Sequence, residues 1–526
     1  MPRKNARSLI DGSSPSASLR RRLLLGVGLL AACGGTRATI GQQNGAITGL
    51  TNYTTPDPGN LWTQGQDLST YAIGQENVLA NEDAIFAQMV SDVNSMQDQL
   101  QSMNGALARG FHAKPHACVL GTFNVASDGL SAGQQRGLFQ SDAAYPVWVR
   151  FSNGVGFSEK DKNVDVRGLA LKVMQVPGGG TQDFLMTNAP TTPAPDSQQF
   201  VNFAKAQVAA TISGSQSLLG PISAMLQEGG YLLQPGNARI LWYFVNQATP
   251  SVLGDGSVLG QRFRGGGAIE LGDSNGTPAN AMKFSAVPGI VQSDGSCQGA
   301  NRIPNIFDDN YLRTDVKSRM AAGPTCISFE IQLQVDPAKQ PIEDTSVEWL
   351  ESDTPFVQVA SVTIPQVDLD NDPNAQQEES FCNGLAFSPW HAMGDHRPLG
   401  NIMRARKTVY AGSASHRNGD RPIQEPTGNE YPVPGLTPPA PAAPGLDAGP
   451  APIPDGDAGP ATNDDASVAD AGGPSCAGQA DGLYCGSDGI GGDAGTLYQC
   501  SGGQLSVSQA CTAGCQSDGN GADACN

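Results

Sequence analysis

Short runs rich in β-branched and aromatic residues recur through the middle of this chain, and they constrain its fold more than any other feature. The clearest are Ala117–Val125, Pro146–Phe151, Leu169–Val173 and Ile327–Val335. Each is bounded by Gly, Asp or Pro, which is typical of strands that end in turns. A charged fraction of 15%, with 65 Gly and 37 Pro, is unlike a helical bundle. The pattern predicts an α+β fold built on a β-barrel, with helices added at its flanks.

Two segments are predicted to be helices, the first from the spacing of its apolar residues and the second from its lack of helix-breaking residues. Asp83–Met103 carries its apolar residues on one face, with Asn81 or Asp83 as candidate N-cap. Asn401–Ser415 follows a proline and has no breaker before Gly412. The first helix could pack on a second subunit or on another helix of the same chain, and the sequence leaves a homo-oligomer open.

The N-terminus has the features of a bacterial export signal. Arg20-Arg21-Arg22 precedes an apolar run too short to span a bilayer, which needs about 20 residues. The following Leu30-Ala31-Ala32-Cys33 resembles a lipobox, although an ordinary signal peptide is the alternative. We predict a signal peptide at 1–32, a tether at 33–49, and an exported cell-envelope lipoprotein in the outer membrane or periplasm. Its partner would be the membrane, through a lipid anchor on Cys33.

The C-terminal part changes composition twice. Residues 431–474 are dominated by Pro, Ala, Gly and Asp, which predicts a disordered linker. Residues 475–526 predict a small disulfide-rich module, because six cysteines occur there without any His: Cys476, Cys485, Cys500, Cys511, Cys515 and Cys525. The functional body is therefore 50–430. A formal net charge of −19 argues against nucleic acid as a partner.

Arg406 and Tyr410 lie four residues apart in the second predicted helix and so share one face. A phenol with an ordinary pKa near 10 is a poor anionic ligand at neutral pH. A nearby guanidinium favours the phenolate, and coordination to ferric iron favours it further. The pair is thus a candidate iron-ligating site, or a surface arginine beside a half-buried tyrosine.

His112 and Asn188 are the candidates for proton chemistry. An imidazole can take a proton from one substrate atom and return it to another near neutral pH. A neutral amide can assist by hydrogen bonding without adding charge. His116, four residues after His112, could compete for the same role.

Five segments of the body, taken in order, resemble segments of haem catalases. They are Arg109-Gly-Phe-His-Ala-Lys114, Val149-Arg-Phe-Ser-Asn153, Asp165-Val-Arg-Gly-Leu-Ala-Leu-Lys172, Thr187-Asn-Ala-Pro190 and Arg404-Ala-Arg-Lys-Thr-Val-Tyr410. The body looks most like the reduced bacterial catalase-like proteins known as catalase-related peroxidases. The resemblance implies a catalase-like antiparallel β-barrel with flanking helices, and haem b, with its iron, as the cofactor.

On the distal side of such a haem, the resemblance implies three roles. His112 would be the acid/base, Asn188 its amide partner, and Ser152 would orient the His112 ring through its other nitrogen.

On the proximal side, Tyr410 would ligate the iron and Arg406 would stabilise its phenolate. Arg109 and Arg150 would pair with the haem propionates, since a planar guanidinium suits a carboxylate.

Two departures from the family pattern carry expectations of their own. Pro115 and His116 replace a Gly-Ala pair and make the run one residue longer, so we expect a β-bulge. Residues 191–195 lack the aromatic pair that catalases place against the porphyrin.

Together these features predict a haem-dependent peroxidase or catalase-like oxidoreductase that acts on hydrogen peroxide or organic hydroperoxides at the cell envelope. One alternative is a lipid-hydroperoxide isomerase or lyase of the allene oxide synthase type. Another is a non-catalytic haem-binding surface protein.

Overall fold

The computed structural model describes residues 75–212, 256–272, 279–303, 308–433 and several shorter pieces: 225, 231–233, 237, 240, 243, 436 and five strands between 482 and 525. The chain divides into two units, Met1–Gly445 and Leu446–Asn526. The predicted signal peptide, the tether with Cys33 and most of the predicted linker lie outside the described residues.

Eleven strands are described in the first unit. They are β1 (Pro115–Val125), β2 (Ala143–Asn153), β3 (Arg167–Met174), β4 (Thr181–Thr187), β5 (Phe263–Gly265), β6 (Ala268–Leu271), β7 (Asn280–Val291), β8 (Cys297–Gln298), β9 (Thr325–Leu333), β10 (Val357–Ile364) and β11 (Pro398–Leu399). All four strands predicted from the sequence are present, with bounds shifted by a few residues. Eight strands pair antiparallel in the order β7-β5-β4-β3-β2-β1-β10-β9, and β9 returns to β7. The predicted antiparallel barrel is confirmed.

Alternation along the strands separates the barrel core from the outer face. On β2, Val147, Val149 and Phe151 belong to the core, whereas the intervening Trp148 and Arg150 are on the other side of the strand. Strand periodicity thus places polar side chains on the outer face of an otherwise apolar sheet.

Aromatic rings fill the barrel interior. Phe123, Phe184 and Phe329 are fully buried, and the Phe184 and Phe329 ring centroids lie 4.6 Å apart. Such pairs contribute about 0.5–1.5 kcal/mol each beyond the burial of their surface. The interior is a packed core, so any ligand site must lie outside the barrel wall.

Five helices are described around the barrel: α1 (Glu82–Asn104), α2 (Ser197–Ile212), α3 (Tyr311–Ala322), α4 (Pro373–Gly384) and α5 (Asn401–Arg417). Both helices predicted from the sequence are confirmed within two residues. Asn81 occupies the N-cap of α1 without a side-chain hydrogen bond. Apolar residues of α1, α2 and α5 form one cluster, so α1 packs on helices of its own chain.

A buried ion network fixes the start of α5. Arg404 is 4% exposed and forms salt bridges to Glu76, Glu82 and Glu343 at 2.7–2.9 Å. Removing one partner of such a network leaves an uncompensated buried charge. The network therefore holds the segment before α1 against the helix that carries Tyr410. No helix among the described residues is both long enough and apolar enough to cross a membrane.

The four cysteines of the body form two disulfides. The sequence alone did not show whether any of them were paired. Cys118 of β1 bonds Cys382 of α4, and Cys297 of β8 bonds Cys326 of β9. The first bond ties a helix to the outer face of the barrel.

In the second unit, β12 (Gly482–Cys485), β13 (Thr496–Ser501) and β14 (Gln504–Ala510) form one small sheet, and β15 (Cys515–Gln516) pairs with β16 (Ala524–Cys525). Cys485 and Cys500 each take part in a disulfide.

Candidate active site

A largely apolar cavity lies between the outer face of the barrel and helices α1, α2 and α5. Six of the seven site residues predicted from the sequence line it: Arg109, His112, Arg150, Ser152, Arg406 and Tyr410. The imidazole comes from the barrel side, whereas the phenol comes from α5. The fold thus brings together residues from opposite ends of the body.

The backbone of His112 is held in a conformation that few residues adopt. Its φ is 58°, in the left-handed region that His, Asn and Asp tolerate better than most side chains. Its N–H donates to the Gly154 carbonyl at 2.9 Å, and its carbonyl accepts from Arg150 Nη2 at 2.9 Å. These two bonds from β2 and the turn after it fix the direction of the ring.

The ring of His112 is held in one tautomer. Nδ1 lies 2.9 Å from the carbonyl oxygen of Asn153 and 3.1 Å from Ser152 Oγ. Because a carbonyl only accepts, Nδ1 carries the proton and Nε2 keeps its lone pair. Gly168 of β3 leaves the space for the ring, since a Cβ there would lie 2.4 Å from Nδ1. Ser152 Oγ therefore lies beside the nitrogen that carries the proton.

His112 is neutral at physiological pH. Burial lowers its pKa to about 4, and the positive charge of Arg150 acts in the same direction, against the carbonyl of Asn153. Nε2 makes no hydrogen bond to any described residue. The cavity thus contains a free, unprotonated imidazole nitrogen.

Tyr410 presents an unpartnered phenol to the same cavity. Its hydroxyl makes no hydrogen bond to any described residue, and the guanidinium carbon of Arg406 lies 5.6 Å from the centre of its ring. The expected one-turn spacing of the two residues is confirmed. The guanidinium lies over the ring face, and Arg406 Nη1 contacts Met403 Sδ at 3.6 Å. The predicted role of Arg406 in stabilising the phenolate stays a prediction.

Three arginines form a guanidinium cluster at the cavity wall: Arg109, Arg150 and Arg417. Among the described residues none of them has a carboxylate partner. Burial, together with repulsion from the other two, lowers the pKa of Arg109 well below its usual range, and burial lowers that of Arg150 to about 9. A ligand with carboxylates would relieve this repulsion.

Arg417 is a site residue that sequence reasoning missed. The available signal was its position in α5, since it follows Tyr410 by two helical turns and so lies on the same face. Helical periodicity alone would have placed it beside the ligand pocket.

Asn188 is the predicted site residue that the structure does not bring into the cavity lining. Its Oδ1 accepts from the N–H of Arg167 at 2.8 Å, and its Nδ2 donates to Gln261 Oε1 at 2.7 Å. Both ends of the amide are therefore engaged in holding the end of β4. Its role as the distal amide stays a prediction.

His116 lies apart from the cavity. It is the extra residue of a β-bulge in β1, since Pro115 pairs with Ser152 and Ala117 with Phe151. The expected bulge is confirmed. The ring is fully buried, and its Nε2 lies 2.9 Å from Asn153 Oδ1. His116 thus supports the residue that orients His112 and does not face the pocket itself.

Aromatic side chains line the cavity, although the 191–195 segment after Pro190 contributes none of them. Phe111 and Phe200 lie in its wall with ring centroids 5.5 Å apart, and Phe157 and Phe387 line it as well. The aromatic side chains of the cavity wall therefore come from elements other than the 191–195 segment.

Residues 79–218 match the family model described as Catalase. This segment of the chain is therefore similar to the catalase family. The matched range contains His112, Ser152, Arg109 and Arg150 and ends before α5, so the role of Tyr410 as an iron ligand stays a prediction.

Three catalases of known structure are similar to this chain. A fungal catalase has 16% identity over 70% of each chain, with a TM-score of 0.44. Catalase A from Saccharomyces cerevisiae has 14% identity over 59% of this chain and 61% of its own, with a TM-score of 0.41. A bacterial catalase has 18% identity over 63% and 64%, with a TM-score of 0.42. No curated protein matches the sequence.

The catalase cofactor, haem, fits the donor set of this cavity. A phenol and an unprotonated imidazole nitrogen come from its two sides, apolar and aromatic side chains line the space between, and a cluster of arginines without carboxylates could receive two propionates. Elsewhere in the described part of the chain, no group of three or more His, Cys, Asp or Glu side chains could hold a metal ion.

Proposed function

We propose that this protein is a haem-dependent oxidoreductase that consumes hydrogen peroxide or organic hydroperoxides. The match of residues 79–218 to the catalase family model supports a catalase-like oxidoreductase. One observation carries the proposal: the same cavity contains the free, unprotonated Nε2 of His112 and the phenol of Tyr410, whose hydroxyl makes no hydrogen bond to a described residue. Tyr410 would hold the iron, and Arg109, Arg150 and Arg417 would hold the propionates.

The chain contributes proton transfer and electrostatics to this reaction. Bound haem would supply the Lewis-acid and redox chemistry. His112 Nε2 accepts a proton from one peroxide oxygen and returns it to the other, while the Asn153 carbonyl holds the Nδ1 proton in place. Arg406 packs on the face of the Tyr410 ring and orients it towards the cavity. The apolar wall excludes water, which strengthens each of these interactions.

Titration of the purified full chain with haemin tests the proposal. We expect one haem per chain, the absorption spectrum of a phenolate-ligated ferric haem, and consumption of hydrogen peroxide or cumene hydroperoxide by the loaded protein. A chain that binds no haem would contradict every haem-based function. Haem binding without turnover would instead favour a haem-binding surface protein.

The pH dependence of turnover should report the lowered pKa of His112. The neutral imidazole is the active base, so activity is retained down to the folded pKa and falls as the pH drops through about 4. We expect the acidic limb of kcat/KM for the loaded enzyme to lie well below the ordinary histidine range, with Soret absorbance recorded at each pH to confirm that haem stays bound. A limb centred near 6.5 would show that His112 is not buried as described.

A lipid-hydroperoxide isomerase or lyase is the second candidate, favoured by the apolar wall. Met89, Val93 and Met96 of α1 and Val208 of α2 line the cavity with the aromatic rings. Product analysis with a polyunsaturated fatty-acid hydroperoxide separates the two activities, because the isomerase or lyase type yields an epoxide or chain-cleavage products, respectively, without consumption of an electron donor.

We further propose that the protein is exported and anchored to the bacterial cell envelope through Cys33. The lipobox-like segment supports this, and so do the two disulfides of the body, because disulfides persist mainly in oxidising compartments. Metabolic labelling with a fatty acid, comparing the wild type with Cys33→Ala, tests the anchor.

A further inference from the structure

The last turn of α4 and the residues after it supply the hydrogen-bond acceptors of the guanidinium cluster. Arg109 Nη2 donates to the carbonyls of Asn383 and Leu385 at 2.8 and 2.7 Å. Arg150 Nε donates to Asn383 Oδ1 at 3.2 Å. Arg417 Nη2 donates to the carbonyls of Gly384 and Leu385 at 3.2 Å. All three arginines, from three separate elements, therefore converge on one acceptor turn, Asn383–Leu385.

A disulfide fixes the acceptor turn to the barrel strand next to Arg150. Cys382 immediately precedes the turn, and its partner Cys118 is the cross-strand neighbour of Arg150 in the β1–β2 pairing. Cys118 and Arg150 therefore lie side by side on the outer face of the barrel. One covalent bond thus sets the distance between the strand that carries Arg150 and the turn that orients it.

The acceptor turn uses neutral acceptors in a place where carboxylates would be the usual partners of buried arginines. Asn383 bridges two guanidinium groups, with its carbonyl to Arg109 and its side-chain oxygen to Arg150, and the Leu385 carbonyl bridges Arg109 and Arg417. Neutral acceptors orient the donors without cancelling their charge. The positive charge of the cluster stays available to an anionic ligand.

From this arrangement we infer that Asn383, held by the Cys118–Cys382 disulfide, is a positioning residue for the ligand carboxylates. This inference rests on the proposed haem function and extends it to residues outside the catalytic machinery. Both cysteines of the bond are fully buried, so the bond serves as a permanent clamp and is shielded from reductants. Loss of this disulfide should weaken recognition of the propionates, while the apolar contacts with the macrocycle remain.

Metal-free protoporphyrin IX and its dimethyl ester distinguish these contributions, because the ester lacks the two carboxylates and neither needs Tyr410 as a ligand. Fluorescence titration of the full chain would compare the wild type with Asn383→Leu and with Cys118→Ala/Cys382→Ala. Matched controls are Asn374→Leu, an exposed position on the same helix, and Cys297→Ala/Cys326→Ala, which removes the other disulfide.

We expect both test variants to bind the free acid roughly ten-fold more weakly, because a hydrogen bond to a charged group is lost, with little change for the ester. The controls should keep the wild-type preference for the free acid. The inference would be overturned if Asn383→Leu kept the wild-type preference for the free acid, or if it lost the same affinity for both porphyrins. If the double cysteine variant does not fold, Asn383→Leu alone provides the test. A wild-type chain that binds neither porphyrin would overturn the proposed function, and the inference with it.

Discussion

Tyr410→Phe is expected to lose tight haem binding and the absorption signature of a phenolate ligand. The substitution removes one oxygen and keeps the ring, its packing in α5 and its contact with Arg406. Loss of the ligand itself should exceed the roughly 10- to 100-fold that removal of an outer-shell partner of a metal ligand costs in affinity. Haemin titration followed by ferric absorption spectra measures both effects.

Tyr145→Phe is the matched control for this change. Tyr145 is a buried residue of β2 that belongs to the barrel core and does not line the cavity. It should lose a hydroxyl without any change in haem affinity or spectrum. If Tyr410→Phe behaved like this control, the phenol would not be the iron ligand, and α5 would contribute only a wall of the pocket.

His112→Asn is expected to lower hydroperoxide turnover by roughly 10²- to 10⁴-fold, the usual contribution of a positioned acid/base, with haem content unchanged. Asparagine suits this position because it tolerates the φ of 58° better than most residues, so the backbone can stay in place. It offers no base, since an amide does not take up a proton near neutral pH. Turnover per bound haem is the quantity to measure.

His116→Gln resolves which histidine is the base. His116 is buried outside the cavity, and Gln can still donate a hydrogen bond to Asn153 Oδ1. Turnover of this variant should stay close to that of the wild type, with a lower thermal midpoint as the main effect. A collapse of turnover in His116→Gln, with little effect of His112→Asn, would reverse the assignment.

The local elements could be predicted because their causes are local. Asp83–Met103 shows its helical spacing directly, and the observed helix runs from Glu82 to Asn104. The same holds for the run at Leu169–Val173, where β-branched and apolar residues stand between turn residues. Even the bulge at His116 could be inferred, since one additional residue in a paired strand has to be accommodated.

The contacts between distant segments were beyond the residue pattern. Nothing in the spacing of Cys118 and Cys382 indicates that they pair, because a disulfide depends on how a helix docks on a strand. The same docking brings the Asn383–Leu385 turn to three arginines. Asn188 shows the opposite case, since its position after β4 fits the family pattern while its amide is engaged by Arg167 and Gln261.

The sequence by itself therefore determined the strands, the main helices and the types of residue available for chemistry. Resemblance to a known family supplied the grouping of His112, Ser152 and Tyr410. Only the tertiary structure decided the protonation of His112 and the surroundings of the guanidinium cluster. The physical reason is that pKa values and hydrogen-bond geometry depend on burial and on neighbouring charges, which exist only once distant segments have packed together.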